Sequence, residues 1–545
     1  MILTRINAIY PIRYTTWHAA GAYAVLGTLS LPSALGLQAS VALAWALVAL
    51  GFYDTRQQRH AILRNYPIIG HLRFMLEFIR PEMRQYFIES DTEAEPFSRA
   101  QRTVVYARAK GESDARPFGT QRDTRAVGYE WLHHAMAPTH IDSHDFRVHV
   151  GGPGCTQPYA MSRLNISAMS FGALSANAIM ALNRGARLGG FAHDTGEGSI
   201  SRYHQREGGD LVWQIASGYF GCRNAQGGFD PDKFQANAQL PQVKMIEIKL
   251  SQGAKPGHGG VLPAAKVSPE IAEARGIPVG VTCVSPASHS AFSTPLELMH
   301  FIQRLRELSG GKPVGIKFCV GHPWEWFALV KAMLATDITP DFIVVDGGEG
   351  GTGAAPLEFS DHVGMPLWEG LRLVHNTLVG TDLRSRIRLG ASGKIITAFD
   401  MARVITLGAD WCNSARGFMF ALGCVQAQHC ASGFCPTGIT TQDPVRQQAL
   451  VVDDKAQRVA NFQQNTLKAL KELIEAAGLN DPGELTPEHI LRRTGVHQVA
   501  PLSEILPTVA PGQLLDIEPA YRDALPPHYR RYWWRCDADS FALHA

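Results

Sequence analysis

Apolar residues along this chain follow two patterns, which predict different structures. From about residue 160 to about residue 495, short β-rich runs alternate with stretches of helical periodicity. The runs are RLNISAM, GGFAHDTG, VKMIEIKL, PVGIKFCV, DFIVVDGG, RIRLGASG and ADWCNSAR. Repeated strand-then-helix units are typical of a parallel α/β fold. Since polar residues follow many of the runs, we expect a (β/α)8 TIM barrel, with a doubly wound sheet as the alternative.

The second pattern is a long apolar stretch near the N-terminus. Residues 19–53 contain no charged side chain, and as one straight helix they would extend about 50 Å, against a hydrocarbon core of roughly 30 Å. Pro32 lies in the middle, so we expect two short helices joined by a turn, forming a transmembrane hairpin within residues 1–60. The alternatives are a single span over Leu35–Tyr53 with an interfacial piece before it, a cleaved signal peptide, and a buried pair of core helices.

Charge at the ends of this stretch predicts its orientation. Arg13 precedes the apolar residues, and Arg56 follows them. Because basic flanks prefer the cytoplasmic side, we expect both ends of the hairpin in the cytoplasm. The hairpin would then lie in the inner (cell) membrane, with the catalytic domain cytoplasmic.

The remaining sequence predicts two extensions around the barrel. Residues 61–150 are polar and irregular, and we expect helices and loops that wrap a larger body. The barrel is assigned to residues 151–495. Residues 496–545 are rich in proline and aromatic side chains and are expected to pack on the main domain as an ordered tail. The RRYWWR segment of this tail is suited to surface packing or, alternatively, to membrane headgroups.

Composition narrows the classes of function. The chain has 545 residues, 45% of them hydrophobic, which is enough for a large core. Its 51 basic and 49 acidic residues give a net charge of +2 without an extended basic run, so nucleic acid is not an expected partner. Nine cysteines, an odd number, of which six are scattered singly, do not resemble a secreted disulfide framework. A reducing compartment is expected.

Glycine-rich segments indicate a phosphate site. VVDGGEGGTGAAP places several glycines directly after a buried strand, where backbone N–H groups can face an anion; they are Gly347, Gly348, Gly350, Gly351 and Gly353. Pro356 follows where a dinucleotide fold requires a long helix, which excludes a Rossmann motif. LGASGK, Gly390–Lys394, and NSARG, Asn413–Gly417, occupy the places of the last two barrel loops. Together they predict a bound mononucleotide, and ordinary glycine-rich turns are the alternative.

Lys317 in VGIKFCV is expected inside the barrel. A buried ammonium needs a partner, and a flavin can be that partner, because a cation near N1 and C2=O stabilises the reduced ring. The alternative is a lysine at a strand end that reaches solvent.

Three cysteines lie close together within GCVQAQHCASGFCPTG, residues 423–438. Cys424, Cys430 and Cys435 are spaced more widely than the pairs of a structural zinc site, and a fourth ligand is lacking unless His429 serves. Thiolates hold iron–sulfur clusters, and proline follows the last cysteine in some cluster-binding runs. The spacing predicts a [3Fe–4S] cluster; a Cys₃His zinc site and three unrelated thiols are the alternatives.

Five motifs resemble one known family. SAMSFGALS, DTGEGS, KLSQGAKPGHGG, DGGEGGTGAAP and CPTGITTQ are similar, in this order, to the FMN- and [3Fe–4S]-binding synthase domain of the glutamate synthases. The resemblance covers about residues 151–493 and implies a (β/α)8 barrel. It implies that Cys424, Cys430 and Cys435 ligate the cluster. It also implies FMN contacts from Met169, Ser170, Lys317, Gly347, Gly348, Gly350, Gly351, Gly390, Ser392, Gly393, Ser414, Ala415 and Arg416.

The resemblance also implies a reaction. Electrons from an external donor, such as ferredoxin or a membrane carrier, would pass through the cluster to FMN and reduce the imine of a 2-oxo acid and ammonia, by default 2-oxoglutarate, to an amino acid. Lys255 and Gln252 match positions that contact the oxo acid, and Glu197 matches an active-site position that orients the imine or relays a proton. No glutaminase-like or dinucleotide-binding segment accompanies the barrel, so ammonia and electrons are expected from outside.

Two departures from the family pattern leave the substrate open. His258 stands where the family usually has Glu, and Val261 replaces a glutamine that helps to bind 2-oxoglutarate. A valine cannot make the amide's hydrogen bond, and sites built around such a bond discriminate strongly. The alternatives are an amine or amino-acid dehydrogenase that passes electrons to a membrane carrier, and a redox sensor or scaffold without turnover.

Overall fold

Eight parallel strands form a closed barrel, and each pairs with the next in chain order until the eighth pairs with the first. In the computed structural model they are β1 Leu164–Ile166, β2 His193–Asp194, β3 Leu211–Ile215, β4 Val243–Lys249, β5 Val314–Phe318, β6 Phe342–Asp346, β7 Arg388–Ser392 and β8 Trp411–Ser414. Consecutive parallel pairing around a closed sheet confirms the predicted (β/α)8 barrel and excludes the doubly wound sheet.

The structure describes residues 10–30, 34–93, 95–262, 264, 267–516, 518 and 522–544. They divide into two compact units, one within Met1–Pro96 and the other within Phe97–Ala545. The domain boundaries expected at residues 60, 150 and 495 stay predictions.

Helices follow the strands and cover the outside of the barrel. In chain order they are Ala176–Gly189, Arg202–Glu207, Pro231–Ala238, Pro269–Arg275, Pro295–Leu308, Pro323–Thr336, Leu357–His362, Leu367–Gly380, Ala398–Thr406 and Arg416–Ala421. Several begin at a side-chain cap: Ser175 accepts from the Ala178 N–H, and Thr397 accepts from the Asp400 N–H. Such caps satisfy N–H groups that have no partner within the helix, so the sequence itself defines where these helices start.

Further elements complete the second unit. They are the helices Arg99–Lys110, Pro444–Gln448, Val452–Ala476, Leu502–Ile505 and Pro527–Tyr532, the antiparallel pairs Arg147–Val150 with Tyr159–Ser162 and Val261–Leu262 with Cys283–Val284, and the sheet of Glu130–Leu132, Ile490–Arg493 and Val499–Pro501. The 25-residue helix Val452–Ala476 packs against both Ala176–Gly189 and Arg99–Lys110. In the C-terminal tail, Tyr529 and Trp533 are buried, and the Trp533 indole N–H donates to the Leu514 carbonyl.

Side chains that alternate along the strands fill the barrel in layers. At the amino-terminal end, Met245, Phe342 and Trp411 form an apolar cluster with Val148 and Met161 of the first antiparallel pair. This pair therefore closes the floor of the barrel. On the same strands, polar side chains stand two or more residues after these apolar ones. They also point into the barrel, because every second residue of a strand points to the same side.

The first unit contains the two expected N-terminal helices, Thr15–Ser30 and Leu35–Arg56; residues 31–33, which include Pro32, lie outside the described residues. The helices contact each other through polar bonds. The Trp17 indole N–H donates to the Val48 carbonyl, and the Trp45 indole N–H donates to the Thr28 hydroxyl. Helices Ala61–Asn65 and Gly70–Met83 and the π-helical turn Arg84–Ile88 follow.

One of these helices is long and apolar enough to cross a membrane. Leu35–Arg56 has 22 residues and a mean hydropathy of 1.8 in its most apolar window, of which 11% is buried. A helix this exposed is not a buried core helix, which was one of the alternatives. Insertion into a membrane is a separate question that length and composition leave as a prediction.

Candidate active site

A polar cavity opens at the carboxyl ends of the barrel strands. The space between its walls is about 690 Å³ when the open solvent at its mouth is included. Residues at the carboxyl ends of all eight strands or in the loops after them contribute to its wall, because parallel strands in a closed barrel all end at the same rim. The polar residues and glycine-rich turns at the ends of the strands are therefore brought together at this rim.

Most of the predicted cofactor residues line this cavity. They are Ser170, Lys317, Gly350, Gly351, Ser392, Gly393, Ser414, Ala415 and Arg416. The predicted substrate residues Glu197 and Gln252 lie in the same wall. Sequence positions as distant as 170 and 416 are thus brought together by barrel closure.

Four predicted cofactor residues are not among the residues that line the cavity. Met169 is partly buried against the core. Gly347 and Gly348 use their N–H groups within the protein, donating to the carbonyls of Ser392 and Met365 at 2.8 Å each. Gly390 lies lower in the barrel, where an added Cβ would stand 2.6 Å from the Trp411 ring. Close packing against Trp411 therefore explains why residue 390 is a glycine.

Lys317 is buried on β5 with an exposure of 4%. Its Nζ lies 3.7 Å from Asp346 Oδ2. Burial acts to lower the pKa of Lys317, but the carboxyl groups of Asp346, Glu247 and Asp194 outweigh it and raise the pKa above its usual value. The side chain is therefore a buried cation in the cavity wall and does not reach solvent at the strand end.

An ion pair that the sequence did not reveal lies at the cavity mouth. Lys249 Nζ donates to Glu197 Oε2 at 2.7 Å. The Lys249 ammonium, despite burial, holds the pKa of the Glu197 carboxyl at about 2, with further contributions from Lys255 and Arg275. Lys249 is the first residue of the KLSQGAKPGHGG motif, and its place at the end of a strand was the available signal.

A second cavity adjoins the first. Glu197, Lys249 and Gln252 line both, and the second adds Lys255 and His258. Burial lowers the pKa of Lys255, while the nearby Glu197 carboxylate opposes this effect. The structure thus places the three predicted substrate residues around one extension of the site.

The two departures from the family pattern lie in different environments. His258 lines the second cavity; its Nδ1 is 2.8 Å from the Gly259 carbonyl, and its ring is in edge contact with Phe359. Val261 pairs with Val284 in a short antiparallel ladder, and its side chain is 55% exposed. His258 is therefore the departure that faces the space next to Lys255.

The three loop cysteines lie beside the first cavity. Arg416 links the two regions, since its Nη2 donates to the Thr352 carbonyl at 2.9 Å and its Nη1 lies 3.8 Å from Cys430 Sγ. Burial raises the pKa of the Cys435 thiol, but hydrogen bonds from Thr437 and the Thr440 backbone outweigh it and lower the pKa to about 7. The chemistry of this donor set favours thiolate at Cys435.

Within the described residues, no group of three His, Cys, Asp or Glu side chains is close enough to hold a single metal ion. His429, the fourth ligand of the zinc alternative, is exposed. In an iron–sulfur cluster the thiolates bind different iron atoms and stand further apart than the ligands of one ion. The [3Fe–4S] cluster at Cys424, Cys430 and Cys435 stays a prediction.

Comparison with known proteins relates the whole barrel to one family. The model of the conserved region in glutamate synthase matches residues 153–480. The glutamate synthase large subunit-like protein YerD of Bacillus subtilis is 37% identical over 510 residues, covering 86% of this chain and 94% of that protein. The archaeal-type glutamate synthase [NADPH] of Thermotoga maritima is 35% identical over 334 residues, and the match spans 61% of this chain and 62% of that protein's length.

Solved structures with a similar fold were also found. A double-mutant flavocytochrome b2 with pyruvate bound aligns over 76% of this chain and 90% of its own, with 12% identity and a TM-score of 0.40. A mandelate oxidase mutant aligns over 79% of this chain, with 14% identity and a TM-score of 0.37.

Glu197→Gln is expected to destabilise the protein in a pH-dependent way. Because the pKa of Glu197 is about 2 when folded, against 4.5 for the free side chain, its ion pair stabilises the fold fully above about pH 5, and this stabilisation is lost as the pH falls towards 2. The variant should lose on the order of 3 kcal/mol at pH 7 and much less near pH 3. Urea denaturation at both pH values measures this difference.

The matched control is Glu358→Gln, at an exposed carboxylate on the helix Leu357–His362. It should change the urea midpoint little at either pH. An equal loss for Glu197→Gln at pH 7 and pH 3 would contradict the ion-pair explanation.

Proposed function

Because the chain belongs to the glutamate synthase family, we propose that it is an oxidoreductase that uses FMN and a [3Fe–4S] cluster to reduce the imine of a 2-oxo acid. The default reaction is that of 2-oxoglutarate and ammonia to glutamate. One observation carries the proposal: the cavity with Lys317 in its wall shares the lining residues Glu197, Lys249 and Gln252 with the cavity that holds Lys255. Cofactor and substrate would therefore meet at the Glu197–Lys249 pair.

The residues of the first cavity fit a flavin mononucleotide. Gly350, Gly351 and Gly393 leave the wall open beside the Arg416 guanidinium, which suits a phosphate; an added Cβ at Gly351 would stand 3.1 Å from Arg416 Nε. Lys317 supplies a buried cation for the ring. FMN bound here would supply hydride transfer, and the cluster single-electron transfer.

The second cavity fits an organic carboxylate. Lys255 lines this cavity, and within the described part of the chain its side chain makes no hydrogen bond or ion pair. A substrate carboxylate would satisfy it by a charge-assisted bond, and the Gln252 amide lies beside it to bond the second oxygen or the oxo group. Charge balance thus favours an anionic substrate.

The Glu197–Lys249 pair would position the reacting group. An ionised Glu197 can accept a hydrogen bond from an imine or ammonium nitrogen, while Lys249 keeps the carboxylate fixed in the wall. Since Glu197 remains ionised well below neutral pH, it would act as an acceptor and not as a proton donor.

The cysteine loop would hold the cluster through Cys424, Cys430 and Cys435. Arg416 contacts both Cys430 and the loop after β6, so it would stabilise thiolate at one end and bind the cofactor at the other. Electrons would come from an external protein such as ferredoxin or from a membrane carrier. No nucleic acid partner is proposed.

A second candidate reaction runs in the opposite direction. The apolar helix Leu35–Arg56 favours it, because a membrane-bound enzyme could deliver electrons from an amine or amino acid to a membrane carrier. Anaerobic reduction of the bound flavin by glutamate or another amino acid would support this dehydrogenase. Reoxidation of the reduced protein by 2-oxoglutarate with ammonia would support the synthase.

Lys255→Ala is expected to raise KM for the oxo acid about 10- to 100-fold, because a charge-assisted hydrogen bond is worth about 1.5–3 kcal/mol. The FMN content should not change, since Lys255 lies in the second cavity. Steady-state kinetics and flavin absorbance measure the two effects. Lys468→Ala, at an exposed position of the helix Val452–Ala476, is the control. Unchanged kcat and KM in Lys255→Ala would remove this residue from the site.

Cys430→Ser is expected to lose most of the iron while most of the FMN remains, because serine is a poor ligand for iron–sulfur clusters and the FMN cavity lies beside the loop. Iron, sulfide and flavin analysis of anaerobically purified protein measures this outcome. Cys155→Ser, at a partly buried cysteine that donates to the Gly311 carbonyl, is the matched control. A full iron content in Cys430→Ser would show that the ligand assignment is wrong.

We also propose that the helix Leu35–Arg56 anchors the protein in the inner membrane, with the catalytic unit cytoplasmic. Leu43→Arg should move the full-length protein from the alkali-washed membrane fraction to the supernatant, since arginine in the centre of a span costs about 2.5–3.5 kcal/mol. Val127→Arg, at an exposed site of the second unit, is the control. Equal distribution of wild type and Leu43→Arg would contradict the anchor.

A further inference from the structure

Three acidic side chains surround the single buried ammonium of Lys317. Asp194, Glu247 and Asp346 have exposures of 3%, 1% and 8%. They come from β2, β4 and β6, so no short sequence motif contains them. Of the three, only Asp346 lies in the cavity wall; Asp194 and Glu247 lie one layer deeper, above the apolar floor.

The two deeper carboxyl groups are neighbours: both line one small space beneath the cavity, and each acts electrostatically on the other. Glu247 also accepts from the Gln214 amide at 2.6 Å, and Asp194 accepts from the Gly196 N–H at 2.9 Å. Two ionised carboxylates buried side by side repel each other and can only accept hydrogen bonds, so the pair is stabilised when one of them holds a proton. Burial, first of all, and mutual repulsion raise the pKa of Glu247 well above its usual value.

The other groups around Asp194 and Glu247 do not neutralise the two carboxyl groups in place of this proton. Lys317 is the nearest cation, and it also faces Asp346 at 3.7 Å. Lys249 lies above and is neutralised by Glu197. The ring of His193, next to Asp194 in the chain, contacts the His204 ring instead, with the centroids 5.2 Å apart and the planes tilted by 47°. The remaining polar residues that face this part of the barrel are uncharged: Ser167, Gln214, Ser392 and Asn413.

The proton count of the pair therefore decides the charge beneath the cavity. With one shared proton, Asp194 and Glu247 together carry one negative charge, and Asp346 adds another against the one positive charge of Lys317. With two protons on the pair, the four groups are neutral. Because the dielectric constant of the site is low, this difference of one unit charge strongly changes the energy of any charge placed above Lys317.

We propose that Asp194 and Glu247 form a proton-sharing pair that takes up one proton from solvent when the flavin above Lys317 is reduced. This inference rests on the proposed FMN site. Reduction by two electrons and one proton, with dithionite or the external donor as reductant, adds one negative charge to the ring. The second proton, bound by the pair, offsets that charge. Asp194 and Glu247 are positioning residues, since they act through Lys317.

The test is a potentiometric titration of the bound flavin between pH 6 and pH 9. In wild-type protein the midpoint potential should fall with pH at close to two protons per two electrons. In the double variant Asp194→Asn/Glu247→Gln, which keeps the shape of the layer but has no carboxyl group left to protonate, the slope should fall to close to one proton per two electrons. Each single variant still holds one ionised carboxylate that can take up the proton, so its slope should stay close to that of wild type. Asp210→Asn, at the opposite end of β3, should keep the wild-type slope.

A second measurement does not need the flavin. Wild-type protein at pH 7 should show an infrared C=O band of a protonated carboxyl group that is lost in Glu247→Gln or Asp194→Asn. Absence of this band in wild type, or a wild-type slope in the double variant when it binds FMN, would overturn the pair. If the proposed function is wrong, the result differs: the protein binds no FMN although the infrared band is present.

Discussion

Closure of the parallel sheet is the constraint on which the site depends. A closed barrel has no unpaired edge, and all of its strands end at one rim. Its interior must be filled with side chains at every second strand position. On β4 these positions are Met245, Glu247 and Lys249, which lie in the apolar floor, the buried acidic layer and the cavity wall. Within five residues, β4 thus contributes to the packed floor of the barrel and to the wall of the candidate active site.

Charges inside this barrel are held in compensating groups. Lys249 is paired with Glu197, and Lys317 with Asp346 and the two deeper acids. An isolated ion in such a place would be expensive, so the groups depend on each other for burial. The compensation is incomplete around Lys317, where three acids face one ammonium. This excess makes the protonation of the barrel interior relevant to a redox cofactor, and the closely packed wall carries the effect to the cavity.

Two regions outside the barrel complete the proposed enzyme in different ways. The cysteine loop is joined to the cavity through Arg416, whose guanidinium reaches both Cys430 and the loop that follows β6. The N-terminal unit contributes two helices that bond the indole N–H groups of Trp17 and Trp45 within the pair. Such bonds suit the proposed membrane anchor, because polar groups in lipid must be satisfied within the protein.

The amino-acid sequence by itself was sufficient for the barrel, the two N-terminal helices, the glycine-rich wall and the position of Lys317, because strand periodicity, caps and turn residues are local signals. It also indicated the polar ends of the strands as the site. Only the tertiary structure showed the Glu197–Lys249 pair, 52 residues apart in the chain, and the contact between Asp194 and Glu247. It also placed Gly390 against Trp411, away from the cavity wall. These contacts depend on the register between neighbouring strands and on the direction of each side chain, which closure of the whole barrel determines.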